Sequence, residues 1–447
     1  MLFNRDLEAD LALWLARKKR KPIILRGARQ VGKSTLVRKF AADHQHDLFE
    51  INLEKHPELN DVFASYDMQR IIREIEGICE KKIPSHTKCL LFLDEIQATP
   101  AGIAALRYFY EERSDLPVIA AGSLLEFALQ DFNYSIPVGR IEYRYIGPLR
   151  FHEYLKAAGE DFLVECLNKM GVEGISESAH QKLVRLQREY LFIGGMPEVV
   201  RDFLDSGDHS LCQRTQGALI QTFRDDFAKY ASGTKLLRLQ RVFTKIPGII
   251  GQKVKYVNLS KDEKSREIRG ALEQLIMAQL CHPVIHSDCT GHPLSACQDE
   301  DAYKLIFVDV GLMNKALGTS WHFMENLDER TLVNEGPIAE QFIGQELLYR
   351  HRGREQPALN YWLREKKATN AEVDYVLGQN NSILPIEVKS GKSGSLRSLL
   401  LFADTKSITV GIRFDLNSPT SQEIKIADRI FTLKSLPLYA VSSLDHD

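Results

Sequence analysis

Three features predict an α/β chain built from several domains. A glycine-rich loop lies between a short apolar strand and a helix near residue 30, residues 235–312 read as three helices followed by two strands, and two apolar strands carrying carboxylates lie between 371 and 389. At 447 residues the chain is too long for one ordinary core, and domains of about 100 to 200 residues suggest about three.

The first element is "KPIILRGARQVGKSTLVRKF". Pro22 to Leu25 form a β-type run, followed by Gly27, four residues, Gly32-Lys33-Ser34 and a helix-like stretch. Strand before and helix after is the setting a phosphate-binding Walker A loop requires. Backbone N–H groups of Gly27, Ala28, Arg29, Gln30, Val31, Gly32, Lys33, Ser34 and Thr35 would curl around the phosphates of ATP. Lys33 would reach the β and γ oxygens, Ser34 would bind Mg²⁺, and the helix would aim its positive end at the anion.

"KCLLFLDEIQ" supplies the partner strand. Leu90 to Leu93 are apolar enough for a central parallel strand and end in Asp94-Glu95. Asp94 would hold Mg²⁺ through its water shell, and Glu95 would orient the attacking water. A third run, "LPVIAAGSLLEF", ends at Ser123, read either as a γ-phosphate sensor or as a helix N-cap. Arg140 precedes a further apparent strand, and it is read either as a finger reaching a neighbouring subunit's nucleotide in a homo-oligomer or as a solvated arginine.

This order of Walker A, Walker B, strand-end Ser and late Arg resembles the AAA superfamily. "YLFIGGMPEVV" (190–200) looks like the Gly-x-Pro turn in the helical lid of some ATPases of that superfamily, and "FRDDFAKY" (223–230) follows it. With its C-terminal pieces the whole chain resembles a prokaryotic family of AAA ATPases that carry a C-terminal domain of unknown function. The resemblance implies an AAA-type P-loop core over 1–155 and a helical lid over 156–230, and assigns no substrate.

Residues 231–330 read as a winged-helix-like domain. Stretch 235–269 holds ten Lys and Arg against three acids, while the chain as a whole has a net charge of −2. In that fold Lys264, Arg266 and Arg269 open the third helix, where a recognition helix meets the major groove. Nucleic acid, DNA rather than RNA, is the expected partner; a solvated helix face is the alternative. "YKLIFVDVGL" reads as the second strand of the wing.

In "AEVDYVL" (371–377) alternation puts Glu372, Asp374 and Val376 on one face and Val373, Tyr375 and Leu377 on the other. In "ILPIEVKS" Leu384, Ile386 and Val388 share the buried face, with Glu387 and Lys389 opposite. A turn between the strands would bring Asp374 and Glu387 together beside Lys389, a set able to hold Mg²⁺ and activate a bound water. Restriction-endonuclease-like folds use this PD-(D/E)xK pattern, and residues 331–447 are expected to form such a domain, with Glu340 on a preceding helix as a further acid ligand. The literal Pro-Asp pair is missing, Val373-Asp374 standing in its place, and Glu-x-Lys recurs at Glu80, Glu365 and Glu423 without a matching upstream acid. Cleavage of DNA and retention of the fold as a docking module, within an ATP-dependent switch or scaffold, both stay open.

No apolar run approaches the length of a membrane span, and the first residues do not read as a signal peptide. Seven scattered cysteines without a C-x-x-C pair fit a reducing cytoplasm.

Overall fold

The computed structural model describes residues 2–84, 88–122, 125, 137–169, 175–291, 293–325, 336–351, 353–365, 370–379, 382–389 and 396–446. The chain divides into two compact units, Met1–Gly147 with His351–Gln356, and Pro148–Arg350 with Pro357–Asp447.

The first unit is a five-stranded parallel sheet with helices. Its strands are β1 (Ile23–Arg26), β2 (Asp47–Asn52), β3 (Cys89–Asp94), β4 (Val118–Ala121) and β5 (Glu142–Tyr145), in the order β2-β3-β4-β1-β5. Its helices are α1 (Leu7–Leu15), α2 (Lys33–Asp43), α3 (Leu59–Ala64), α4 (Met68–Cys79) and α5 (Pro100–Glu112). Every residue of β3 and β4 is buried, which is why both read as unbroken apolar runs rather than alternating ones. Because β1 lies next to β4 and β4 next to β3, the loop after β1 and the acids ending β3 open on the same sheet edge, at the C-terminal ends of parallel strands.

The sequence expects this core to run to 155; the compact unit ends at Gly147, and a segment from far along the chain completes it. Gly353 O accepts the N–H of Tyr145 at 2.8 Å, and Arg354 pairs with Asp10 at 2.5 Å. Asp10 is buried and also pairs with Arg144, so one carboxylate serves two guanidinium groups.

The second unit begins with helices α6 (Phe151–Ala157), α7 (Asp161–Asn168), α8 (Glu177–Ile193), α9 (Pro197–Ser206), α10 (His209–Asp226), α11 (Gly233–Lys245), α12 (Tyr256–Leu259) and α13 (Ser265–Met277). Strands β6 (Cys281–Ser287) and β7 (Gln298–Phe307), helices α14 (Val310–Leu317), α15 (Trp321–Glu325) and α16 (Gly336–Leu348), and strands β8 (Leu359–Arg364), β9 (Ala371–Gln379) and β10 (Ser382–Val388) follow. Helix α17 (Arg397–Lys406) and strands β11 (Val410–Asp415), β12 (Thr420–Ile426) and β13 (Arg429–Pro437) complete it.

Its eight-stranded mixed sheet runs β12-β13-β11-β10-β9-β8-β6-β7. The β6–β7 hairpin, expected as the wing of a separate middle domain, is therefore continuous with the C-terminal strands: Val284, Ile285 and His286 pair in parallel with Leu359, Asn360 and Tyr361. The expected strand through "VDVGL" stops at Phe307, because the Asp309 carboxylate accepts the N–H of Leu312 and caps α14.

Helix α16 is buried along nearly its whole length, and its amides replace missing sheet and helix partners. Gln341 exchanges both of its hydrogen bonds with the backbone of Phe307, and Gln345 accepts the N–H of Val310. On the other face of the sheet α17 packs Leu399, Phe402 and Ala403 against Trp362, Val373 and Val376.

Candidate functional site

In the first unit Gly27 leaves β1 and Lys33 opens α2. Gly32 has φ 92°, a left-handed conformation that suits glycine and lets the loop turn into the helix. A Cβ on Gly27 would lie 2.1 Å from Ile146 O, so only glycine lets the loop pass this close to the chain after β5. Lys33 is buried, and its ammonium donates to Gly27 O at 2.8 Å and Ala28 O at 2.9 Å, folded onto the loop it would leave to meet a phosphate. Burial lowers its pKa to about 8, against the opposing pull of Glu95 and Asp94.

Ser34 Oγ donates to Asp94 Oδ2 at 2.8 Å, so the two residues expected to hold Mg²⁺ face each other. Burial raises the Asp94 carboxyl, and Ser34 offsets part of that. Glu95 sits at φ 51°, uncommon for a residue with a Cβ, and this turns its side chain out of the strand. Its Oε2 accepts from Gln97 Nε2 at 2.6 Å. Sequence reasoning passed over Gln97; its place two residues after Glu95 in "DEIQ" was the available signal. Thr35 is exposed on α2, and Gln30 takes a left-handed φ of 64° within the loop.

Arg140 donates from Nε to Glu111 Oε1 at 2.8 Å, and Arg107 shares the same carboxylate at 3.0 Å. Arg140 is half exposed and lies over the Tyr110 ring. Ser123 lies outside the described residues.

The second unit gathers the C-terminal acids. In β9 the register shifts between Asn360, which pairs with Val376, and Trp362, which pairs with Val373; β9 therefore carries one extra residue opposite Tyr361. This bulge corrects the simple alternation. Glu372, Asp374 and Tyr375 all face α16, where Tyr375 donates to Glu340 O at 2.7 Å, while Val373 and Val376 share the α17 core. The Asp374 carboxylate accepts the N–H of Val388 at 2.8 Å, two residues past Ile386, the last β10 residue paired with β9. Glu387 is buried rather than solvent-facing, and Lys389 donates to its Oε1. Asp374, Glu387 and Lys389 are thus brought together as expected.

A residue absent from every motif completes the cluster. Lys304 on β7 is 1% exposed; its Nζ lies 2.7 Å from Glu340 Oε1 and 3.7 Å from Asp374 Oδ1, pairs with Glu372, and sits 5.3 Å from the Tyr361 ring centroid. Burial pulls its pKa down, but Glu340, Asp374 and Glu372 outweigh this and the net shift is upward, so it stays charged. Burial and Asp374 push Glu387 up to about 8, with Lys389 opposing. Burial pushes Glu340 up to about 7 against Lys304. Among the described residues no three His, Cys, Asp or Glu side chains form a group that could hold a metal ion. The expected trio of Glu340, Asp374 and Glu387 is not assembled as one ligand set, because the Lys304 ammonium sits on Glu340 and beside Asp374.

Residues 19–155 match the model of an AAA domain. Two domains of unknown function, DUF8612 and DUF4143, match residues 184–322 and 335–436. No curated protein matches the sequence. Among solved structures, the chain is similar to a Walker-type ATPase of Pyrococcus abyssi, with 14% identity over 71% of this chain and 96% of that one and a TM-score of 0.45. It is also similar to the ORC2 protein of Aeropyrum pernix in ADPNP–ADP complexes, with 11% identity over 72% and 93% and a TM-score of 0.34. Neither superposition is close enough to carry an argument. The AAA match covers the Walker A loop, Asp94, Glu95 and Arg140, and supports a P-loop ATPase domain over residues 19–155.

The basic surface is less free than its composition implies. Arg269 is tied to Glu273 and Asp301, each at 3.0 Å, and Arg238 to Glu263 and Glu267. Lys264 and Arg266, at the exposed start of α13, have no carboxylate within ion-pair distance among the described residues. Among the described residues no helix is long and apolar enough to cross a membrane.

Proposed function

We propose that this protein hydrolyses ATP at its AAA domain and uses the nucleotide cycle to govern a C-terminal pocket that cleaves DNA. The observation that carries the first half is the Ser34–Asp94 hydrogen bond at 2.8 Å beside a buried Lys33, the arrangement expected of a loop ready for a nucleotide and its cation.

Lys33 exchanges the Gly27 and Ala28 carbonyls for phosphate oxygens, and the loop N–H groups of 27–35 hold the remaining phosphate charge. Glu95 orients water, with Gln97 fixing its carboxylate. Mg²⁺ bound by Ser34 and the Asp94 shell would neutralise charge developing between the β and γ phosphates. Ser123 as sensor and Arg140 as a finger in a homo-oligomer belong to this reading; Arg140 must first leave Glu111.

At the C-terminal pocket Glu387 Oε2 is buried and accepts no hydrogen bond from the described residues, an open acceptor that fits a cation shared with Asp374. Such an ion would supply Lewis acidity and an activated water. Lys389 stands beside Glu387 to stabilise the phosphorane charge, and the exposed start of α13 at Lys264 and Arg266 guides the DNA. A second reading, an ATP-dependent switch whose nuclease-like domain is catalytically silent, is favoured by the Lys304 ammonium among the expected acid ligands.

Phosphate release by purified protein tests the first half. Lys33→Ala and Glu95→Gln should each lose about 100-fold or more in turnover, with Glu95→Gln retaining ATP binding. Wild-type turnover in Lys33→Ala would end the proposal.

A further inference from the structure

Lys304 is costly to bury. Taking an ammonium out of water costs several kcal/mol unless dense negative charge compensates, and a lysine on an edge strand has the alternative of extending to solvent. The side chain instead runs inward beneath α16, crosses the face of Tyr361, and ends among Glu340, Glu372 and Asp374.

Charge counting divides the pocket in two. Among the described residues Glu340, Glu372, Asp374 and Glu387 face two ammonium groups, Lys304 and Lys389, which leaves two negative charges unbalanced when all four carboxylates are ionised. Lys304 serves the side formed by Glu340 and Glu372. On the other side, Glu387 uses one oxygen for Lys389 and leaves Oε2 buried without a partner among the described residues. One divalent cation supplies the missing charge, and the open acceptor locates it at Glu387. A further cation between Glu340 and Glu372 would meet the Lys304 ammonium at close range, where like charges repel strongly in a dry interior.

We infer that Lys304 is a tethered cation, filling the part of the acid pocket where a second metal ion would sit, so that the pocket accepts a single divalent cation at Asp374 and Glu387. This rests on the metal-site reading given under Proposed function. It assigns the pocket to one-metal rather than two-metal phosphodiester chemistry.

Mn²⁺ bound to the nucleotide-free full chain, counted by electron paramagnetic resonance, tests the inference. Asp374→Asn, which leaves the P-loop untouched, serves as the baseline. Wild type should hold one Mn²⁺ above that baseline and Lys304→Met two. One Mn²⁺ in both, with affinities within twofold, overturns the role of Lys304 and leaves the metal site standing. No Mn²⁺ above baseline in wild type removes the metal site, and the inference with it. If Lys304→Met alone does not fold, Lys304→Gln, which also removes the charge and keeps all four carboxylates, is judged by the same counts.

Discussion

Gln97 donates to the Glu95 carboxylate at 2.6 Å, a contact that helps position it for the water-orienting role proposed for Glu95. Gln97→Ala should lower ATP turnover about tenfold while the KM for ATP stays within about twofold, because the lost contact positions a group used only during reaction. Steady-state kinetics of the variant give both numbers; equal falls in affinity and turnover would make Gln97 structural. Glu387 and Glu340 lead to a pH effect. Both have folded pKa values above the usual carboxylate range, about 8 and about 7, so their protonated forms stabilise the fold below about pH 4.5, and that contribution fades as pH rises toward those values. Thermal melts in EDTA should therefore fall between about pH 5 and 8, and Glu387→Gln, which leaves Asp374, Lys389 and Lys304 in place, should flatten the slope. Lys33 and Ser34 could be read from the sequence because a loop fixes their spacing locally, and Asp94 because it ends an unbroken apolar strand. Lys304 could not, because its partners lie on two later elements, Glu340 on α16 and Glu372 and Asp374 on β9, and only the fold brings them together.

At the level of elements, β9 shows where periodicity fails. Alternation correctly separates Glu372 and Asp374 from Val373, and then breaks because the β8 pairing admits one extra residue. A bulge depends on the partner strand, so the pattern within 371–377 carried no sign of it. Strands β3 and β4 were readable for the opposite reason, since burial on both faces leaves an apolar run whatever their neighbours. Phe402 on α17 is fully buried, with its ring 5.1 Å from that of Trp362. Phe402→Ala should cost about 3–5 kcal/mol of second-unit stability through loss of burial and a residual cavity. Denaturant unfolding measures this, and ATP affinity, a property of the first unit, should not change; a change below about 1 kcal/mol would mean that α17 does not close this core.

At the scale of the whole molecule, the sequence predicts four stretches, 1–155, 156–230, 231–330 and 331–447, and the chain divides into two compact units. The hairpin at 281–307 joins the C-terminal sheet, and 351–356 returns to strand β5 of the AAA domain. Neither connection has a local signature, since both join segments distant in sequence. If Lys264 and Arg266 contact phosphate, replacing both with Gln should weaken DNA binding across sequences and reduce the salt slope by about two, one for each lost contact. An unchanged slope in titrations at several salt concentrations would return α13 to a solvated face. The central claim is that one chain couples the P-loop to the C-terminal acids. Its most direct test is a metal- and ATP-dependence profile of DNA cleavage by wild type, Lys33→Ala and Asp374→Asn. The account predicts cleavage by wild type that requires Mg²⁺ or Mn²⁺ and rises with ATP, loss of the ATP response in Lys33→Ala, and no cleavage by Asp374→Asn; DNA left intact by wild type under every metal and nucleotide condition would contradict it.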